Sequence, residues 1–128
     1  MEYRAITDRT VIGFLAQCKE HGAGPLTTAP LALVLTADAD KADTWIEDSS
    51  IAISFMMLMA EEQEIGSCWC QIHLRSSAEG KDAEETVCNI LGIDSHMRIV
   101  GILALGIPEK RNPAHALDEL NWDKVHYI

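Results

Sequence analysis

The stretch WIEDSSIAISFMMLMAEEQEIGSCWCQI, residues 45–72, decides how this chain must fold. From Ile51 to Ala60 only Ser54 breaks an apolar run, so the helix predicted over Asp43–Glu64 has almost no polar face. A helix of that kind has to be covered on every side. A chain of 128 residues has few elements with which to cover it. The economical arrangement is a second copy of the chain on the far face, and a homodimer is expected. The competing arrangement is a helix sandwiched inside one subunit. Met56, Met57 and Met59 then read as core or interface packing, where flexible thioethers fill irregular gaps. Gly66 reads as the helix's C-terminal stop, and Ser67–Leu74 as a strand or extended loop.

On the N-terminal side, Glu2–Ile6 alternates as a short strand, with Tyr3 and Ala5 on one face and Arg4 and Ile6 on the other. Thr7 or Asp8 can cap a helix running through roughly His21, whose apolar positions Val11, Phe14, Leu15 and Cys18 fall at helical spacing. Ala29–Asp38 is a continuous apolar run behind Pro30, suited to a strand buried on both faces. On the C-terminal side, Lys81–Leu91 is amphipathic, with Ala83, Val87, Ile90 and Leu91 on one face and Gly92 as its cap. His96–Pro108 reads as a buried strand. Glu109–Ile128 is polar, with Trp122, Val125 and Tyr127 as late apolar anchors that need something to pack on. The pattern is one sheet-and-helix domain over residues 1–128, α/β or α+β, with strands alternating with helices.

Composition excludes several classes of function. Hydrophobic residues at 48% and charged residues at 23% are globular rather than disordered values. The net charge of −10 is opposite to what a nucleic-acid or anionic-membrane surface requires. No G-x-G-x-x-G or Walker loop is present. The apolar run at Ile51–Ala60 is too short to span a bilayer. The first residues lack the apolar core of a secretory signal, so free cysteines and a cytoplasmic setting are expected.

Few side chains carry readable chemistry. Cys68, Cys70 and His73 form C-x-C-x-x-H, but no second ligand pair stands at zinc-finger spacing, and no metal is expected. No group that would stabilise a thiolate accompanies them. Trp69 reads either as a stacking residue beside a ligand or as a buried aromatic. Lys110 and Arg111 are the only adjacent basic pair in the chain, a phosphate contact or a solvated turn. Glu61, Glu62 and Glu64 read as the exposed end of the long helix. His115 and His126 carry no readable role, and no side chain is marked as a required acid or base.

The order of the motifs goes further. Trp45–Ile72 resembles the nitroreductase family's D-x-x-x-A helix running into a Gly-Ser-Cys-Trp-like turn. LGIDSHMRIVGILALGIPEKRNP, residues 91–113, resembles the family's L-G-I-P followed by a strand ending G-Y-P-x-E-K. APLALVLTAD at 29–38 is similar to its A-P-x-x-I-V-V strand, and Asp123–Tyr127 is similar to family tails. The resemblance implies an α+β fold with a sheet, flanking helices and a long central apolar helix. It also implies an intertwined homodimer with two FMN sites at the interface. It further implies hydride transfer from NADH or NADPH to the flavin, and onward to nitroaromatics, quinones or related acceptors. Cys68, Trp69, Cys70, Gln71 and Ile72 then correspond to the turn that presents a backbone N–H near flavin N5. Lys110 and Arg111 correspond to the phosphate contacts. The family's R-R-S-like and P-S-x-x-N-x-Q-P-W segments precede a strand matched here by residues 1–8, so the chain reads as lacking that N-terminal portion. The alternative function is a dimeric, flavin-free remnant of the same fold.

Overall fold

A computed structural model describes all of residues 1–128. The elements run β1 (Glu2–Ile6), α1 (Arg9–Leu15), β2 (Leu31–Asp38), α2 (Trp45–Glu62), β3 (Gly66–Gln71), α3 (Ala83–Leu91), β4 (Met97–Arg98) and β5 (Gly101–Gly106). Short 3-10 turns stand at Gly24–Thr27, Leu117–Glu119 and Trp122–Lys124. The architecture is α+β. One antiparallel sheet has the order β1-β2-β5-β3, and β4 extends the far end of β2. Register is set by Leu31 opposite Leu105 between β2 and β5, and by Gly66 opposite Gly106 between β3 and β5.

The two middle strands are covered on both faces, as their unbroken apolar sequence requires. Ala32, Val34, Ile102 and Ala104 turn toward α1 and α3, joining Ile12, Leu15, Val87 and Cys88 in the larger core. Leu35, Leu103 and Leu105 turn toward α2, where Ile53 and Ala60 close a second, smaller core. Full burial of a residue such as Ile53 contributes about 1.5–3 kcal/mol.

Several elements differ from the sequence reading, each for a tertiary reason. Asp8, not Thr7, caps α1 through the Thr10 and Val11 N–H groups. α1 stops at Leu15 instead of continuing to His21, because the next residues are drawn to the far edge of the sheet. There Lys19 Nζ donates to the Gln71 carbonyl (2.6 Å) and the Glu20 N–H donates to the Ser76 carbonyl (3.1 Å). The buried face of α1 is Ile12 and Leu15, while Phe14 is exposed. The left-handed residue beyond α2 is Glu64, with φ 61°, and not Gly66. Gly66 opens β3 instead, and a Cβ there would stand 3.2 Å from both the Gly106 carbonyl and Pro108. The expected His96–Pro108 strand is split at Ile99 and Val100, whose backbone groups bond outside the β2–β5 ladder.

α2 is the longest helix, and the sheet covers only one of its sides. Ile46, Ile51, Phe55, Leu58 and Met59 are exposed within the single chain. The tail from Glu109 onward is exposed throughout, including Trp122, Val125 and Tyr127. The apolar anchors expected there find no cover in their own subunit.

Gly101 is the tightest point of the sheet. A Cβ at this position would lie 2.7 Å from Trp69 Nε1 and 3.1 Å from the Cys70 carbonyl. Gly101→Ala is expected to destabilise the chain by about 1–3 kcal/mol, the usual cost of overpacking a filled core. Urea unfolding monitored by Trp fluorescence measures it, and an unchanged midpoint would contradict this packing.

Candidate functional site

The candidate site is the outer edge of β3 and the chain that leaves it. In an antiparallel ladder, residues alternate between pairing with the neighbour and pointing away from it. The Ile72 N–H donates to the Val100 carbonyl (2.9 Å), which continues the β3–β5 register. By alternation the backbone groups of Ser67, Trp69 and Gln71 face outward, to the side where β3 has no neighbouring strand. The Gln71 carbonyl agrees, since it accepts from Lys19 on that side. Its N–H lies along the same edge.

The surroundings of that N–H are held from several directions. Trp69 Nε1 donates to Gln71 Oε1 (2.9 Å), and Gln71 Nε2 donates to the His73 carbonyl (3.3 Å). The His73 N–H shares the Val100 carbonyl with Ile72 (3.1 Å). Leu74 then turns the chain with φ 56°, a left-handed conformation uncommon for a side-chain-bearing residue.

A buried carboxylate fixes the same exit from beneath. Glu84, only 7% exposed, accepts from Arg98 Nε (3.0 Å) and Nη2 (2.9 Å), and from the Ile99 N–H (2.9 Å). Its Oε1 also lies 2.6 Å from His73 Nδ1. The Trp45 ring meets His73 edge-on at 5.0 Å, and the Arg98 guanidinium lies over that ring, also at 5.0 Å. Burial pushes the Glu84 pKa up, but the bonds from Arg98, Ile99 and His73 outweigh it and hold the group below its ordinary value.

The residues expected at the site fall into two groups. Cys68, Trp69, Cys70, Gln71 and Ile72 are consecutive along this edge. Cys70 and Ile72 point into the core and are fully buried, and their backbone groups face β5, so they hold the strand in place while the outward backbone groups are those of Trp69 and Gln71. Burial first, and the neighbouring Cys68 second, push the Cys70 thiol up to about 11. Cys68 is exposed and lines a cavity of about 490 Å³ with Gly66, Gly106 and Pro30. All four cysteines are unpaired. Lys110 and Arg111 lie past the opposite end of β3, beside Gly66 and Ser67, in a cavity of about 370 Å³. Gly66 and Gln71 are five steps apart along the strand, roughly 17 Å. Arg111 donates to the Glu64 carbonyl (2.6 Å) and lies 3.3 Å from its carboxylate.

Sequence reasoning missed Glu84, Arg98 and Lys19. The signal for Glu84 was a carboxylate three and four residues before the buried Val87 and Cys88, on the inner face of α3. Arg98 stood as a lone charge within an otherwise apolar run. Nothing in the local sequence distinguishes Lys19.

These elements define an α+β domain built on one covered antiparallel sheet, with outward backbone groups along its β3 edge. The nitroreductase family model matches residues 5–107. An FMN-dependent nitroreductase from Clostridium difficile R20291 is 34% identical, with a TM-score of 0.93 over 98% of this chain and 73% of that one. A putative NADH dehydrogenase/NAD(P)H nitroreductase of Archaeoglobus fulgidus is 25% identical over 126 residues, 94% of this chain and 69% of that protein. An iodotyrosine deiodinase bound to FMN and 3-iodo-L-tyrosine is 17% identical, with a TM-score of 0.69 over 99% of this chain and 75% of that one, and shares the fold alone. The chain belongs to the nitroreductase family. No helix in it is long and apolar enough to cross a membrane.

Because the Glu84 pKa is lowered on folding, its stabilisation is fully present above the ordinary carboxylate range and is lost as pH falls through the folded value. Glu84→Gln is expected to cost about 3–5 kcal/mol at pH 7, since it leaves Arg98 partly buried without its partner. The deficit should shrink as pH falls through the lowered folded value, below which the wild-type carboxyl is protonated too. Denaturant unfolding followed from pH 7 down through the acid range tests this; a deficit independent of pH would assign the loss to packing alone.

Proposed function

We propose that the chain is a homodimeric, FMN-dependent oxidoreductase domain that passes electrons from NADH or NADPH to nitroaromatic, quinone or similar acceptors. The observation that carries this reading is the Gln71 N–H, directed to the open edge of β3 while each group around it is fixed by another bond. A donor held in this way is suited to the position where charge and a proton arrive on flavin reduction, N5 of the ring. When bound, FMN supplies the hydride and electron chemistry, and the protein binds it and tunes its electronics.

The chain's own residues divide the remaining work. Cys68, Trp69, Cys70, Gln71 and Ile72 form the wall against the ring edge, with Trp69 and Gln71 turning backbone groups toward it, Cys68 an exposed side chain, and Cys70 and Ile72 anchoring the strand in the core. Trp69 and His73 keep Gln71 oriented. Lys110 is exposed beside Gly66 and can reach a phosphate, and Arg111 joins it by leaving Glu64. No side chain on the β3 edge is placed as an obligatory acid or base, so protons come from solvent. The exposed stripe Ile51, Phe55, Leu58 and Met59 and the apolar tail residues are surfaces that a second copy would cover.

One observation favours the alternative, a flavin-free dimeric relative. The phosphate end carries carboxylates of its own, with Glu61 and Glu64 lining the same cavity as Lys110 and Arg111. Titration with FMN, following flavin fluorescence, decides between the two. Stoichiometric quenching is expected, and Lys110→Ala with Arg111→Ala should weaken it at least about tenfold by removing charge-assisted contacts. A folded chain that leaves FMN fluorescence unchanged would establish the alternative.

The dimer is tested separately. Leu58→Asp is expected to convert a dimer to a monomer in size-exclusion light scattering with little change in helical circular dichroism, because Leu58 is exposed within its own subunit. A wild-type monomer at micromolar concentration would refute the assembly.

A further inference from the structure

Beyond Gln71, on the side away from Lys110 and Arg111, lies a cavity of about 330 Å³ lined by Lys19, Glu20, His21, Leu74, Arg75 and Ser76. Its two strong cations are among the six of ten Lys and Arg that meet no carboxylate, and Lys19 alone of those six is buried. Arg4, Lys41, Arg98 and Arg111 each meet a carboxylate at 3.3 Å or closer. Lys19 and Arg75 meet none.

Lys19 is the more demanding case, because it is only 8% exposed. Its Nζ carries three N–H groups, and one acceptor is in place, the Gln71 carbonyl at 2.6 Å. The nearby thiols do not supply the missing charge. Burial pushes Cys18 upward and Cys70 to about 11, despite the attraction of Lys19 in both cases, so both are neutral thiols at neutral pH. A buried ammonium without a counter-ion is costly unless an anion joins it. Arg75 is anchored only by its donation to the Leu74 carbonyl (3.0 Å), which leaves most of its planar fork free. Glu20 is the one carboxylate on the rim, and it is 3.4 Å from His21 Nε2.

We propose that Lys19 and Arg75 form a phosphoryl-binding subsite, in which Lys19 is the buried point charge and Arg75 the forked donor that closes over the anion from solvent. Backbone supports the arrangement. The Glu20 N–H bonds to the Ser76 carbonyl, which holds the two segments side by side. Gly22, with φ 79°, turns the chain beside Lys19 in a left-handed conformation that side-chain-bearing residues rarely adopt. The phosphoryl group can belong to free phosphate or to the phosphates of a nicotinamide nucleotide. The subsite stands independently of flavin binding, since inorganic phosphate alone probes it.

The test is thermal unfolding and calorimetric titration of the full chain with sodium phosphate, against sodium chloride at matched ionic strength. Phosphate is expected to raise the melting temperature where chloride does not. Arg75→Gln, an exposed change that leaves the core intact, should weaken phosphate binding about tenfold, the scale of one charge-assisted contact. Lys19→Met should abolish the response to phosphate, whatever its own melting temperature, because it removes the buried charge that the anion meets. Displacement of phosphate by NADPH would assign the nucleotide as the source, and binding without displacement would assign the free anion. A phosphate effect no larger than that of chloride, or one that Arg75→Gln leaves intact, would overturn the proposal.

Discussion

The Glu84 carboxylate is the constraint on which the arrangement of the site depends. It enters the core from the first turn of α3 and accepts from three separate parts of the chain. His73 belongs to the exit of β3, Arg98 to β4, and Ile99 to the break before β5. A buried carboxylate with this many charge-assisted and backbone partners is stabilising only while all of them are in place. The Ile99 N–H it captures adjoins Val100, whose carbonyl receives both Ile72 and His73. The break in the last strand and the path of the chain past Gln71 are therefore one feature, and Trp45 closes it through His73 and Arg98.

Around that anchor the sheet solves a packing problem in two layers. β2 and β5 have apolar residues on both faces, so helices must stand on both sides. α1 and α3 take one face, and α2 takes the other. Having no polar side, α2 can satisfy the sheet and still expose Ile51, Phe55, Leu58 and Met59. An apolar stripe of this kind on a chain of net charge −10 marks a surface for another apolar surface, not for a charged one.

β3 stands at the sheet edge, and that position makes it chemically interesting. An edge strand exposes a row of backbone donors and acceptors that normally has to be blunted. Here part of the row is used. Lys19 takes the Gln71 carbonyl, the turn at Leu74 ends the strand, and cations collect at both ends of the edge, Lys110 and Arg111 at one and Lys19 and Arg75 at the other. The free N–H groups between them define a slot bounded by positive charge within an acidic molecule.

Much of this architecture was legible in the residues themselves. β1, β2, α2 and α3 follow from period and from punctuation by Pro30 and Gly92, because those signals act over a few neighbouring residues. The ordered motifs from Trp45 to Pro113 carried the family, since each preserves a local turn or strand end. What the linear chain did not contain was anything set by partners distant in sequence. The early end of α1 depends on Lys19 reaching Gln71, 52 residues away. The split of the last strand depends on Glu84 reaching Ile99, and the division of β3 into buried and outward groups depends on its pairing with β5. Sequence by itself determined most of the helix and strand segments and the family they compose, because propensity and periodicity are local. Only the tertiary structure decided which backbone groups are left to bind a ligand, because that depends on which donors and acceptors the rest of the fold has already taken.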